Sequence, residues 1–223
     1  MVAIVLMGPC GNGKTTVGTA LMYRTGWPFV EGDNFHSEEN KTKMGQGRPL
    51  TDEDRMPWLQ ALHKVLLRNS NDGCNVILAC SALKRHYRDV LIGPENLPIL
   101  FVHLNAQKGV LEKRVETRLG HFMPARLVAS QLETLEMPSK EENAIILDST
   151  VMSVLEIVDQ IIKHVNALYT ILFIDSTSNH RCYALTHFNV CARSSNRALM
   201  LCTFATSKMT LMSTLVSADD EVR

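Results

Sequence analysis

The N-terminal part of the chain contains Gly8-Pro9-Cys10-Gly11-Asn12-Gly13-Lys14-Thr15, which matches the pattern G-x-x-x-x-G-K-[ST]. It follows the apolar segment 2–7 and leads into residues 14–25, whose apolar positions have helical spacing. Glycines let successive backbone N–H groups turn inward around an anion, and the next helix adds the positive end of its dipole. The sequence therefore predicts a strand, a phosphate-binding loop and a helix, with residues 8–15 and Thr16 binding a nucleotide.

The last two residues of this pattern predict phosphate chemistry. Lys14 is expected to reach the β- and γ-phosphates and to act in catalysis, and the Thr15 hydroxyl is expected to bind Mg²⁺. A GTPase would normally carry an N-K-x-D motif, which is absent from the chain. A small-molecule kinase is therefore favoured over a GTPase.

Alternating strands and helices continue to about residue 168, which predicts an α/β fold with a parallel sheet and helices on both faces. The predicted strands are 2–7, 28–30, 75–79, 99–104 and 144–147, and the predicted helices are 14–25, 52–69, 106–119, 124–135 and 151–168. Residues 169–223 are rich in Ser and Thr and lack Gly and Pro. We expect a kinase domain over 1–168 and a C-terminal extension over 169–223, in which Tyr169–Ile174 is a possible strand.

Composition excludes several kinds of partner. Lys plus Arg and Asp plus Glu both number 23, so the net charge is zero and offers no electrostatic footprint for nucleic acid or an anionic membrane. No apolar stretch reaches the length of about 18 residues that a membrane span needs. The six cysteines form no C-x-x-C pair and the N-terminus resembles no export signal, so a cytoplasmic protein with free thiols is expected.

Carboxylates follow the second predicted strand, at Glu31 and Asp33. In open α/β sheets ligands bind at the carboxyl ends of the strands, so these groups are expected to face the phosphate-binding loop. Such a carboxylate suits a base that orients a substrate hydroxyl or contacts a Mg²⁺-bound water. Ordinary loop polarity is the alternative.

Cations form two further groups. Arg55, Lys84 and Arg88 follow strand ends, and the last two are four residues apart, as on one helix face. They suit an anionic substrate, with a solvated basic surface as the alternative. Arg114 and Arg118 precede a glycine and His121, which indicates a lid that closes arginines over the transferring phosphoryl group, or else helix-surface charge.

Four blocks taken together resemble the gluconokinase family: GxxxxGKTT, GDNFHSEENKTKMGQGRPLTDEDRMPWL, LACSALKRHYRDVL and GHFMPARLVASQLETLEMP, within about residues 3–165. The resemblance implies a small kinase fold of the nucleoside-monophosphate-kinase type, often dimeric. It also implies ATP- and Mg²⁺-dependent phosphorylation of D-gluconate on its 6-hydroxyl. Lys14, Asp33 and Arg118 would be catalytic, and Arg114 would join Arg118 at the nucleotide. The implied gluconate-binding residues are Asp33, His36, Arg55, Lys84, Arg88 and His121.

The chain departs from the family pattern in three places. Pro9-Cys10 replaces a residue-Ser pair, which we expect to weaken phosphate binding because Pro has no N–H and Cys is a weak donor. Glu31 replaces a shorter acid, and residues 169–223 have no counterpart. Two alternatives stay open: a related kinase of the shikimate type, and a non-catalytic nucleotide-binding protein with an interaction segment at its C-terminus.

Overall fold

A computed structural model of the 223-residue chain describes residues 1–117 and 126–176, without the side chains of 126 and 168–176. The described residues all belong to one compact unit, and residues 177–223 lie outside the described part of the chain. The extension predicted over 169–223 therefore falls largely outside it. Within residues 1–117 and 126–176, no helix has the length and apolar character needed to span a membrane.

Five parallel strands form one sheet, as the sequence predicts. They are β1 (Ala3–Met7), β2 (Phe29–Glu31), β3 (Val76–Ala79), β4 (Ile99–Asn105) and β5 (Ala144–Asp148). Their order across the sheet is β2-β3-β1-β4-β5. In register, Leu6 of β1 lies between Ala79 of β3 and Val102 of β4. The carboxyl ends of β1, β2 and β3 therefore meet at one edge, where the phosphate-binding loop begins.

Seven helices accompany the described strands. They are α1 (Lys14–Thr25), α2 (Glu38–Gly45), α3 (Asp52–Asn71), α4 (Arg85–Ile92), α5 (Lys108–Glu116), α6 (Arg126–Thr134) and α7 (Val154–Ser176). Helix α2 was not among the predicted helices. The strand considered for Tyr169–Ile174 is wrong, because α7 continues through that segment. Apolar residues at helical spacing extend the helix past the expected end at residue 168.

The core lies on both faces of the sheet, which explains why its central strands are apolar throughout. Strand β1 is buried at every position. Ala3, Val5 and Met7 pack with residues of α3 and α4 on one face. Ile4 and Leu6 pack with residues of α1 and α7 on the other.

Helix α3 begins at a capping box. The Thr51 hydroxyl accepts from the Asp54 backbone N–H, and the Asp54 carboxylate accepts from the Thr51 N–H at 2.7 Å. This start fixes Asp52 and Arg55 in the first turn of α3. Both side chains belong to the site described next.

Candidate active site

The phosphate-binding loop is held open by its glycines and by one asparagine. Gly8, Gly11 and Gly13 all have positive φ, and a Cβ on Gly8 would lie 2.2 Å from Nδ2 of Asn12. The fully buried Asn12 amide donates to the carbonyls of Met7 and Leu104, both at 3.0 Å. The loop is therefore preformed and anchored to β1 and β4.

Lys14 spans the interior of this loop. Its Nζ donates to the carbonyls of Gly8 and Pro9, both at 2.9 Å, and to Oδ1 of Asn12 at 3.0 Å. Burial lowers the pKa of Lys14, and the nearby Asp33 carboxylate opposes that shift. The ammonium group lies where a bound phosphate would replace neutral carbonyl partners with anionic ones.

Thr15 and Glu31 supply oxygen atoms suited to Mg²⁺. The Thr15 hydroxyl donates to Oε2 of Glu31 at 2.7 Å. No group of three or more His, Cys, Asp or Glu side chains within residues 1–117 and 126–176 is arranged to hold a metal. A hydroxyl and one carboxylate fit the way Mg²⁺ binds in phosphoryl-transfer sites, where nucleotide phosphates and water supply most ligands.

Asp33 lies in a single 3₁₀ turn, Gly32–Phe35, directly after β2. Trp58 of α3 donates from its indole Nε1 to the Gly32 carbonyl at 2.8 Å. A Cβ on Gly32 would come within 2.3 Å of the Ala79 carbonyl, so only glycine lets the turn pack this closely on β3. The carboxylate of Asp33 is thereby held at the edge of the sheet, opposite the phosphate-binding loop.

His36 and Arg55 present polar atoms without protein partners. His36 stacks on Trp58 with ring centroids 4.2 Å apart. Burial lowers the pKa of His36 to about 4 against the opposing charge of Asp33, and the charge of Arg55 adds to that lowering. Nδ1 of His36 and Nε of Arg55 are buried and have no hydrogen-bond partner in the described part of the chain. Buried polar atoms of this kind usually have partners, so both suit a ligand.

Two adjoining cavities contain most of these groups. The larger, of about 840 Å³, is here called the phosphate cleft and is lined by residues 10–17, Glu31, Asp33, His36, Arg55 and Arg114, among others. The smaller, of about 100 Å³, is here called the side cavity and is lined by Asp52, Lys84, Tyr87, Ser130 and Thr134, among others. Met44, Arg55 and Gln131 line both.

Asp52 organises the side cavity. Its two carboxylate oxygens each accept from Lys84 Nζ at 2.8 Å, and Oδ1 also accepts from the Tyr87 hydroxyl at 2.5 Å. The bonds from Lys84 and then Tyr87 hold the pKa of Asp52 below its usual value. The carboxylate of Asp52 neutralises the charge of Lys84. The charge of Arg55 therefore gives this cavity one net positive charge.

Arg88 lies in neither cavity, contrary to its prediction as a substrate ligand. It is 1% exposed and binds Glu142 through Nε–Oε2 at 2.5 Å and Nη2–Oε1 at 3.0 Å. Its Nη1 donates to the carbonyls of Ala82 and Glu136. The shared-face argument fails because Lys84 is the N-cap of α4, with extended backbone, and so is not part of that helix.

Arg114 is the one lid arginine that the described residues include. Its Nη2 donates to the Ser149 carbonyl at 2.8 Å and its Nη1 to the Gly11 carbonyl at 3.5 Å. It therefore lines the phosphate cleft beside the loop, and its contact with a nucleotide stays a prediction. Arg118 and His121 lie outside the described residues.

Two residues beside the phosphate-binding loop were not predicted as functional from the sequence. Gln131 of α6 accepts from the Cys10 N–H through Oε1 at 2.7 Å, although 121 positions separate them. His103 of β4 is fully buried, and its Cε1 lies 3.3 Å from the position of a Cβ on Gly8. Gln131 lies in the segment 120–138 quoted above and His103 in the apolar run of β4, but their contacts depend on how strands and helices assemble.

Comparisons with known proteins agree with this geometry. A family profile described as AAA domain matches residues 4–141. A probable gluconokinase of Xenopus tropicalis is 46% identical over 159 residues, 65% of this chain and 84% of the relative. The gluconokinase of Gluconobacter oxydans is 51% identical over 142 residues, 64% of this chain and 79% of the relative. The crystal structure of a gluconokinase from Sinorhizobium meliloti matches with a TM-score of 0.68 at 41% identity, covering 78% of this chain and 97% of the other.

Proposed function

The chain belongs to the gluconokinase family, and on that basis we propose that it transfers the γ-phosphoryl group of ATP to the 6-hydroxyl of D-gluconate. The observation that carries this proposal is the phosphate cleft. Lys14 of the phosphate-binding loop, Asp33, Arg55 and His36 line this one space, and Arg55 Nε and His36 Nδ1 have no hydrogen-bond partner among the described residues.

On the nucleotide side, the loop residues Gly8–Thr16 bind the phosphates of ATP. Lys14 exchanges its carbonyl partners for phosphate oxygens and offsets the negative charge that spreads over them in the transition state. Thr15 and Glu31, which share a hydrogen bond, are the residues that would hold Mg²⁺ at the nucleotide phosphates. The metal neutralises phosphate charge when bound.

On the acceptor side, Asp33 orients the attacking hydroxyl. As the hydroxyl oxygen bonds to the γ-phosphorus and the bond to ADP breaks, the hydroxyl proton passes to the Asp33 carboxylate. Holding the hydroxyl in line with the leaving ADP oxygen supplies much of the rate acceleration, because the loose transition state needs little covalent help.

The carboxylate of gluconate binds near the side cavity. Arg55 supplies the net positive charge there and a buried Nε with no hydrogen-bond partner among the described residues, while Lys84 lines the same cavity and pairs with Asp52. His36 remains neutral near pH 7 because its pKa is low, so it contributes a hydrogen bond rather than charge. Arg88 binds Glu142 and contributes to folding instead.

The proposal also covers the lid, the part of the chain that carries the activity, the cellular location and the oligomeric state. Arg114 and Arg118 contact the nucleotide from a lid, and His121 contacts gluconate there. Residues 1–168 carry the activity and 169–223 are an extension, so a chain shortened after Ser176 would keep gluconate-dependent turnover. The protein is cytoplasmic. It forms a homodimer, and sedimentation velocity of the full chain tests this oligomeric state.

The test of the proposed function is ADP release by the full chain with ATP and Mg²⁺, with D-gluconate, shikimate or no acid added. Gluconate-dependent release is expected, with little release in the presence of shikimate. Release with shikimate alone would identify the related kinase instead. ATP binding without release in any mixture would identify a non-catalytic nucleotide-binding protein.

A further inference from the structure

Gln131 joins the two cavities of the active site. Its side chain is 7% exposed and lines both the phosphate cleft and the side cavity. Helix α6 carries it against the phosphate-binding loop, where Leu127 and Val128 pack in one apolar cluster with Cys10. A polar contact joins α6 to the loop: the Cys10 N–H donates to Oε1 of Gln131 at 2.7 Å.

This bond fixes which way the carboxamide faces. A backbone N–H can only donate, so the oxygen of the carboxamide must lie toward Cys10. Nε2, with two N–H donors, then lies on the other side of the group. No acceptor for Nε2 occurs among the described residues of the chain. Nε2 is not sealed off by protein, because Gln131 lines both cavities, and its two N–H donors are open to a ligand rich in oxygen acceptors.

The position of Gln131 indicates that its Nε2 binds the acceptor rather than the nucleotide. On the loop side of the cleft, the loop backbone, Lys14 and Arg114 already offer donors and charge to nucleotide phosphates. Gln131 lies instead where the cleft meets the side cavity, beside Arg55 and Met44, which also line both. A sugar acid extending from Asp33 toward Arg55 would pass this junction with its hydroxyl oxygens.

We propose that Gln131 determines acceptor specificity by donating from Nε2 to a hydroxyl oxygen of the sugar acid while Oε1 holds the Cys10 N–H. This role rests on the proposed function. One rigid carboxamide then contacts the acceptor and the phosphate-binding loop together. Occupation of the acceptor site strengthens nucleotide binding, and nucleotide binding strengthens acceptor binding by the same factor.

Gln131→Met tests the role, because methionine has nearly the same volume and keeps the apolar packing of α6. Glu133→Met on the exposed face of α6 is the matched control. The KM for gluconate at saturating ATP is expected to rise about tenfold in Gln131→Met, the loss of one buried hydrogen bond to substrate. It should stay unchanged in Glu133→Met. Gln131→Asn, expected to raise the same KM, serves if the methionine variant fails to fold in a thermal melt.

Calorimetry gives a readout that does not depend on turnover. In the wild-type full chain, gluconate is expected to tighten binding of a non-hydrolysable ATP analogue about fivefold, and Gln131→Met should lose that effect. A residue that only braced the loop would weaken analogue binding and leave the gluconate KM unchanged, which would overturn the proposal. Absence of the effect in the wild-type chain would overturn it as well. Failure of the proposed function is a different result, namely no gluconate-dependent ADP release by the wild-type chain.

Discussion

The phosphate-binding loop and the side cavity are built in opposite ways. The loop is one continuous run, Gly8–Thr15, that binds through backbone groups and one lysine. The side cavity is assembled from side chains of α2, α3, α4, α6 and the segments before α3 and α4. The loop has its shape before any ligand arrives, whereas the cavity depends on which charged side chains find protein partners.

Lys84 and Arg88 show what this difference means. Both follow β3 and both looked like substrate cations. Arg88 is completely bonded within the protein, whereas Lys84 lines a cavity and shares Asp52 with Tyr87. A cation is therefore assigned to a substrate only after its partners are known, while a phosphate-binding loop is recognised from its sequence.

Lys14→Ala should have the largest effect, because it removes the single charged side chain of the loop. Turnover is expected to fall more than about a thousandfold. The measurement is gluconate-dependent ADP release, with a thermal melt to verify that the variant folds. Activity within tenfold of the wild-type chain would show that backbone groups alone carry the phosphate chemistry.

Arg88→Met and Lys84→Met compare a cation that stabilises the fold with a cation that lines the side cavity. Arg88→Met leaves Glu142 buried without its bidentate partner, so the free energy of unfolding should fall by about 3 kcal/mol. Lys84→Met should instead raise the KM for gluconate and change stability by less than about 1 kcal/mol, since its pair with Asp52 is partly exposed. Urea unfolding and steady-state kinetics measure the two effects. Equal stability losses would remove the distinction.

Asp33→Asn tests the carboxylate that orients the acceptor hydroxyl toward the phosphate-binding loop. Its amide cannot accept the hydroxyl proton, so kcat should fall about a hundredfold. Binding of the non-hydrolysable ATP analogue, measured by calorimetry, should change little because Asp33 is not part of the loop. An unchanged kcat would exclude Asp33 from its role.

The smallest expected effect is a pH dependence of the free energy of unfolding that is caused by His103. Burial, with the charge of Lys14 adding to it, lowers the pKa of His103 to about 4, against 6.5 in the unfolded chain. Between these values the unfolded state binds more protons, so stability is complete above pH 6.5 and falls as the pH falls through this window. His103 alone should reduce the free energy of unfolding by about 1.5 kcal/mol between pH 6.5 and pH 5. His103→Gln should remove that part of the slope in urea titrations, and a slope identical to that of the wild-type chain would refute its assignment.

Local patterns predicted the fold and the position of the phosphate-binding loop well. The apolar run of β1, the loop pattern and the helical spacing of α1 and α3 are each contained in one short segment. Helix α2 was missed because its apolar residues are too few to form a periodic face. The end of α7 was placed too early because a change in composition was mistaken for a change in structure.

The acceptor side could be predicted only in part. Arg55 and His36 were found through motifs and lie in the phosphate cleft, whereas the assignment of Arg88 failed because its partner Glu142 lies 54 positions away. Gln131 and His103 act through contacts between distant elements that no local spacing encodes. Charge type can be read from a sequence, but burial and partners require the assembled structure.

The most direct test of the account is the identity of the phosphorylated product. The full wild-type chain is incubated with ATP, Mg²⁺ and D-gluconate, and phosphorus-31 NMR follows where the γ-phosphoryl group goes. The account predicts a new phosphomonoester on the terminal hydroxyl of gluconate, formed in step with ADP. Inorganic phosphate as the only product, or no loss of ATP, would contradict it.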